Sequence, residues 1–165
     1  MVRRFVRVIF LMVIVFTLVT LCFAFPQPVS KAELSIANIT FYDSLDKIRA
    51  NLEEPKFLWR KYYPGPGFAI NRYELEGMQI DLNDNMTLIG IYVYTPQYAT
   101  TRGIKCGDTL QQVEEAYGIV NKRYYKDYDG KEYMSVEYLA KPYYIKFKID
   151  PNSQTVHMIT VGVYE

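Results

Sequence analysis

The sequence predicts an α+β protein of two layers, in which an antiparallel sheet carries short helices on one face. Two short segments combine a helix-capping residue with apolar residues at helical spacing. Each is followed by stretches in which apolar and polar residues alternate, separated by turn-forming residues. This order occurs twice, about 65 residues apart. We therefore predict a tandem repeat of one unit, a helix plus about three strands.

Residues 1–24 are predicted to be a signal peptide or a membrane anchor. Arg3, Arg4 and Arg7 precede an uncharged apolar run from Val8 to Phe25. The run is longer than the apolar part of most cleaved signals and just reaches the length that spans a bilayer. Cleavage after Ala24 and retention as a single N-terminal anchor both stay open, and a lipid on Cys22 is a third alternative. In each case the folded part is predicted to be extracytoplasmic.

The first predicted unit covers residues 36–99 and follows a linker at residues 25–35. Asp43 or Ser44 caps its helix, and Pro55 stops it. The apolar stripe of this helix is Leu45, Ile48 and Leu52. Period-2 alternation then predicts strands at 73–75, 78–82 and 87–95.

The second predicted unit covers residues 100–165. Thr109 and Gln112 form a capping box, and Gly118 supplies the left-handed residue after the helix. The apolar stripe is Leu110, Val113 and Tyr117. Strands are predicted at 123–128, 131–139, 143–149 and 155–164, with the hairpin signal Asp129-Gly130 between the first two. Both helices are short, so packing on the sheet must stabilise them.

The start of the second helix carries a resemblance to a known fold. Gly107 to Gly118 reads Gly-Asp-Thr-x-x-x-Val-x-x-x-Tyr-Gly, and Asp43 and Ser44 occupy the corresponding positions of the first unit. With the repeat, this pattern resembles the beta-lactamase-inhibitor-protein fold, whose single unit is also seen in small outer-membrane-assembly lipoproteins. Members bind proteins through the sheet face or adjoining loops and do no chemistry, so the resemblance implies a protein-binding module. The inhibitor's paired disulfides have no counterpart, because Cys106 is the one cysteine after residue 24.

Charge and motif content argue against several other functions. Loss of the three N-terminal arginines would leave 16 basic residues against 18 acidic ones, a net charge of about −2, which offers nucleic acid no basic patch. His157 is the only histidine, so a metal triad or a histidine relay lacks its parts. No phosphate-binding glycine loop or nucleophile motif occurs. We predict no enzymatic activity, no catalytic or metal site and no cofactor.

Tyrosine content points to the sheet as the binding surface. The chain has 16 tyrosines, all after the N-terminal segment, and alternation places several of them opposite the aliphatic side of their strands. The candidate partner-binding residues are Tyr92, Tyr94, Tyr133, Tyr144 and Lys146. Tyrosine is a preferred contact residue in interfaces, although it also suits an open strand face without any partner.

The predicted function is a non-catalytic, extracytoplasmic protein-binding module, inhibitor-like in character, of bacterial origin. Its partner would be another protein of the cell envelope or exterior. The alternative is a small membrane-anchored envelope protein with a structural role and no enzymatic activity, which would contact the membrane through residues 8–25.

Overall fold

The computed structural model describes residues 28–41, 43–52, 58–65, 68–127 and 130–164; for residues 58–65 and Phe68 it describes only the backbone. The predicted signal or anchor, residues 1–24, lies outside these residues. The helices are α1 (Leu45–Asn51) and α2 (Leu110–Tyr117), preceded by a 3₁₀ turn at Lys31–Glu33. Within the described residues, neither helix has the length and apolar character needed to cross a bilayer.

Eight strands form one sheet, and every neighbouring pair is antiparallel. The strands are β1 (Leu58–Gly65), β2 (Phe68–Leu75), β3 (Met78–Leu82), β4 (Leu88–Val93), β5 (Arg123–Lys126), β6 (Glu132–Ala140), β7 (Tyr143–Asp150) and β8 (Thr155–Val163). Their order across the sheet is β1-β2-β3-β4-β8-β7-β6-β5. The two meanders therefore meet where β4 pairs with β8.

The predicted fold class, an antiparallel sheet with short helices on one face, is confirmed. Each helix is followed by four strands rather than about three, because the chain after α1 forms β1 before the first predicted strand. That the two halves are a tandem repeat of one unit stays a prediction.

Local capping explains where the helices begin and end. Ser44, rather than Asp43, is the N-cap of α1, and its hydroxyl accepts a hydrogen bond from the Lys47 N–H. Thr109 and Gln112 form the predicted capping box at α2. Gly118 ends α2 at a φ of 82°, a conformation that glycine adopts without the strain a side chain would add.

The core lies between the helices and the inner face of the sheet. Ile48 of α1 and Val113 and Tyr117 of α2 pack with inward side chains of the central strands, among them Ile91 and Phe147. These residues are almost fully removed from water, which supplies most of the favourable free energy of folding.

Residues 28–35 belong to this core layer, although the sequence predicts them as part of a linker. Leu34 is fully buried, and the Arg102 side chain fastens the segment to α2. The guanidinium donates to the Glu33 carboxylate at 2.8 Å, to the Pro28 carbonyl at 2.8 Å and to the Ala116 carbonyl at 2.9 Å. A segment held by buried apolar contacts and by two charged hydrogen bonds from Arg102 is part of the domain.

Two bulges change the alternation that the sequence predicts. In β4, Leu88 pairs with Leu82 and Gly90 with Asp81, which leaves Ile89 unpaired. Leu88 is therefore buried and Ile89 half-buried, whereas strict alternation along the strand would place Ile89 on the inner side with Ile91. In β8 a second register shift leaves His157 as the extra residue between Val156 and Met158.

Candidate partner-binding face

The outer face of the sheet is the side opposite the helices, and no described helix covers it. Arg72, Asp81, Tyr92, Tyr144 and Lys146 point to this side, because their neighbours along each strand are buried in the core. The sequence predicts this side correctly for Tyr92, Tyr94, Tyr144 and Lys146. How far each ring is exposed on this face depends on its tertiary contacts.

Two glycines at the β4–β8 junction form a floor under two of the tyrosines. Gly90 and Gly162 are directly paired across the junction, and Gly162 is also paired with Tyr144. A Cβ added to Gly162 would lie 2.5 Å from the Tyr144 hydroxyl oxygen, and one added to Gly90 would lie 3.0 Å from the Tyr92 ring. The two rings therefore lie against bare backbone, where a side chain would displace them.

Further apolar groups extend this surface toward the end of β8. The Tyr144 and Tyr164 rings pack with their centroids 4.6 Å apart, and the Tyr164 hydroxyl donates to the Glu137 carboxylate. Leu139, opposite Tyr144 on β6, is 48% exposed, as is Tyr164. Tyr94 is 46% exposed. We call the set Tyr92, Tyr94, Leu139, Tyr144 and Tyr164 the outer aromatic patch.

An ion pair borders the patch on its β2–β3 side. The Arg72 guanidinium donates twice to the Asp81 carboxylate, with both distances 2.9 Å, and Gln79 donates to the same carboxylate at 3.1 Å. Asp81 is buried, and the hydrogen bonds from these donors stabilise its negative charge away from water. Asp81 pairs with Gly90 and so lies beside the Tyr92 ring.

Burial and the local charges raise the pKa values of three phenols of the patch. Burial, reinforced by the Asp81 charge, raises the pKa of Tyr92 to about 12. Burial also raises the pKa of Tyr94, and burial together with the Glu137 charge raises the pKa of Tyr144. Like other tyrosines, these phenols are protonated at neutral pH and can donate a hydrogen bond to a carbonyl or carboxylate of a bound molecule.

Lys146 supplies a cation on the same face. Its side chain is half-buried, and its Nζ lies 5.6 Å from the Tyr144 ring centroid. At this distance the ammonium is within range of the ring's negative face. The structure thus places Lys146 and Tyr144 on β7 and Tyr92 on β4 on the same face, with β8 between the two strands.

Tyr133 has the predicted orientation, but it is not available for contact. It is only 5% exposed, because other side chains cover its ring. Lys148 Nζ lies 3.6 Å from the ring centroid and pairs with Asp127 at 2.7 Å, and the His157 ring stacks at 5.3 Å. The bulge in β8 places His157 there, so the prediction of Tyr133 as a contact residue is wrong.

Sequence reasoning missed several residues of this face. Gly90 and Gly162 interrupt otherwise apolar strands, and an interior strand glycine signals a close approach of other groups. That signal was available in the sequence. Leu139 and the Arg72–Asp81 pair became recognisable only from the cross-strand register, and Tyr164 only from the packing of its ring against Tyr144.

Comparison with known proteins supports the architecture. The fold is similar to that of an extracellular protein containing a SCP domain from Bacillus anthracis, with a TM-score of 0.51 and 12% identity over 76% of this chain. This chain spans 47% of that protein. It is also similar to the uncharacterized protein YfeY from Escherichia coli, with a TM-score of 0.52 and 13% identity over 84% of this chain and 100% of that one. Identities this low indicate a shared fold and carry no shared function.

No protein-family model matches the sequence, and a search of curated proteins finds no match.

Proposed function

We propose that the protein is a non-catalytic binding module that holds another protein against its outer aromatic patch, outside the cytoplasm. One observation carries the proposal: the Tyr92 and Tyr144 rings are fixed over a glycine floor on a sheet face that no described helix covers. Around them, Tyr94, Leu139 and Tyr164 are each about half exposed.

The fixed rings favour binding because less side-chain freedom remains to be lost. Immobilising a mobile side chain at an interface costs roughly 0.5–1.5 kcal/mol. The Tyr144 ring is already packed between Gly162 and the Tyr164 ring. Most of its side-chain freedom is therefore lost during folding and not on binding. Tyrosine also combines a large contact area with a hydroxyl donor. The patch therefore suits a broad macromolecular surface.

The cellular location is part of the same proposal. The basic and apolar segments before residue 26 favour export, with either a cleaved signal or a retained anchor. The Bacillus anthracis protein with a similar fold is described as extracellular. The inhibitor-like character rests on the sequence resemblance alone.

The partner can be sought with a photocrosslinking side chain placed at Tyr94, in the full chain expressed in its own cell envelope. The matched control carries the same group at Tyr124, which is 71% exposed and points to the other side of the sheet at its edge. We expect a discrete crosslinked protein from position 94 that position 124 does not yield. Equal crosslinking from both positions would exclude a specific contact at the patch.

The protein identified should then be purified and its affinity measured by calorimetry. Tyr144→Ala should weaken binding by about 30-fold, the loss typical of a central interface tyrosine. Tyr124→Ala should leave the affinity unchanged. A full-affinity complex with Tyr144→Ala would refute the patch as the binding surface, whereas a chain that crosslinks to no protein at all would favour the structural role.

A further inference from the structure

A separate groove lies among the loops at the end of the sheet that carries the β2–β3 turn. It consists of two adjoining hollows of about 300 and about 380 Å³, which share Ala37, Asn51, Gln97 and Tyr98. Glu76 lines the first hollow and Asn38 the second. Each hollow is at the small end of the size range of ligand sites in proteins. We call this feature the loop groove.

The side chains of the loop groove are rich in uncommitted hydrogen-bonding atoms. Within the described residues, the side chains of Glu76, Gln97 and Tyr98 make no hydrogen bond to other protein groups. The Asn51 side-chain N–H donates to the Asn38 carbonyl at 3.1 Å, which leaves the Asn51 amide oxygen as an acceptor. Amide, carboxylate and phenol groups thus offer donors and acceptors side by side.

The charge of the groove limits the class of ligand. Among the residues that the structure describes, Glu76 is the one ionisable acid or base in either lining besides the tyrosine, and these linings contain no lysine, arginine or histidine. An anionic ligand would meet a carboxylate without a compensating cation. Leu52, Leu75 and Tyr98 add apolar surface to the first hollow, which suits a ligand with both hydroxyl groups and C–H faces.

Backbone strain marks the same place. Ala37 and Asn38 occupy the left-handed region at φ values of 53° and 60°, in a tight turn closed by the pairing of Ile36 with Ile39. Asparagine tolerates this conformation, whereas alanine does so at an energetic cost. The two-residue turn between these paired residues accounts for both φ values, and Ala37 at its tip lines both hollows, so the turn forms part of the groove wall.

We propose that the loop groove binds a neutral oligosaccharide. A sugar hydroxyl both donates and accepts hydrogen bonds, which matches the amides of Gln97 and Asn51, and the C–H face of a sugar ring matches Tyr98 and the two leucines. The two hollows provide adjoining places for consecutive sugar rings. The site is distinct from the outer aromatic patch, so its existence does not depend on the proposed protein partner.

Ligand binding can be tested by saturation-transfer NMR and calorimetry on the full chain. The probes are neutral disaccharides built from glucose, galactose, mannose or N-acetylglucosamine, together with one uronic-acid disaccharide. We expect at least one neutral disaccharide to bind. Gln97→Ala should lower its affinity by about tenfold, because two hydrogen bonds are lost. Gln111→Ala, which removes an exposed amide on α2, should leave the affinity unchanged.

The role of the Glu76 charge can be tested with a separate variant. Glu76→Gln keeps the shape of the side chain and removes the negative charge, so it should improve binding of the uronic-acid disaccharide while changing the neutral ligand by less than about threefold. Tyr94→Ala should affect neither ligand. The proposal is overturned by the absence of binding from every neutral disaccharide, or by an equal loss of affinity in Gln97→Ala and Gln111→Ala.

Discussion

The two faces of the sheet use tyrosine in different ways. On the inner face, Tyr73, Tyr117 and Tyr138 are buried in the apolar core, and the Tyr138 hydroxyl donates to the Gly118 carbonyl at 2.6 Å. On the outer face, Tyr92 and Tyr144 lie against glycine backbone and keep part of each ring exposed. The same side chain serves as core filler on one side and as surface on the other.

This difference shows that a high tyrosine content is not by itself a binding signal. Among the buried tyrosines, Tyr138 donates its hydroxyl hydrogen to the Gly118 carbonyl, and the Tyr117 ring packs against the rings of Tyr138 and Phe147. An outer tyrosine needs a floor, which Gly90 and Gly162 provide. The groups that surround each ring, and not the number of rings, therefore determine whether a tyrosine fills the core or forms part of the outer surface.

The largest difference between the faces should appear on truncation of Phe147. Its ring packs against Tyr117 at 5.2 Å in the centre of the inner face. Phe147→Ala should lower the free energy of unfolding by about 3–5 kcal/mol, because it leaves a cavity in the core. Tyr94→Ala on the outer face should change it by less than about 1 kcal/mol. Urea denaturation measures both, and similar losses would show that the outer face is as tightly packed as the core.

A smaller effect should distinguish a packed glycine floor from an incidental contact. Gly162→Ala should lower the free energy of unfolding by about 1–2 kcal/mol, because the new methyl group displaces the Tyr144 ring. In a Tyr144→Ala background the same change should be neutral or stabilising, since alanine is less flexible than glycine. Gly90→Ala, with a looser contact, should cost less. Additive effects of Gly162→Ala and Tyr144→Ala would argue against the floor.

The smallest effect concerns ionisation of the outer face at alkaline pH. The pKa of Tyr92 is raised from 10.0 to about 12 in the folded protein, so folding favours its protonated form. The stabilisation is complete below about pH 10 and is lost as the pH rises toward about 12. Tyr92→Phe lacks this ionisation, so between pH 10 and 11 it should lose about 1 kcal/mol less stability than the parent protein. Equal losses in urea titrations at both pH values would contradict a desolvated Tyr92.

Local sequence signals were sufficient for much of the fold. Thr109, Gln112 and Gly118 define α2 from within one short segment, and each makes the predicted contribution. The inward positions Ile145 and Phe147 follow from alternation alone. The sequence did not predict the fourth strand of the first half. The β1 segment contains tyrosine, proline and glycine, a composition that also suits a loop between a helix and a strand.

The candidate site was predictable in orientation but not in exposure. Tyr133 was assigned to the correct face, yet Lys148 and His157 cover it. His157 is near Tyr133 only because of a bulge that shifts the pairing of β7 and β8. Leu139 joins the patch by pairing with Tyr144 across the β6–β7 hairpin, and Tyr164 joins it by packing its ring against Tyr144.

By itself, the sequence determined which side of each regular strand faces the core, because the two-residue period of a β-strand is a local property. It also determined the boundaries of α2, since its caps act within a few residues, whereas for α1 it left the N-cap open between Asp43 and Ser44. Only the tertiary structure decided which tyrosines stay exposed, which glycines lie beneath them and where loops enclose a groove. Those outcomes depend on the register between strands and on bulges that shift it, and register is set by contacts across the whole sheet.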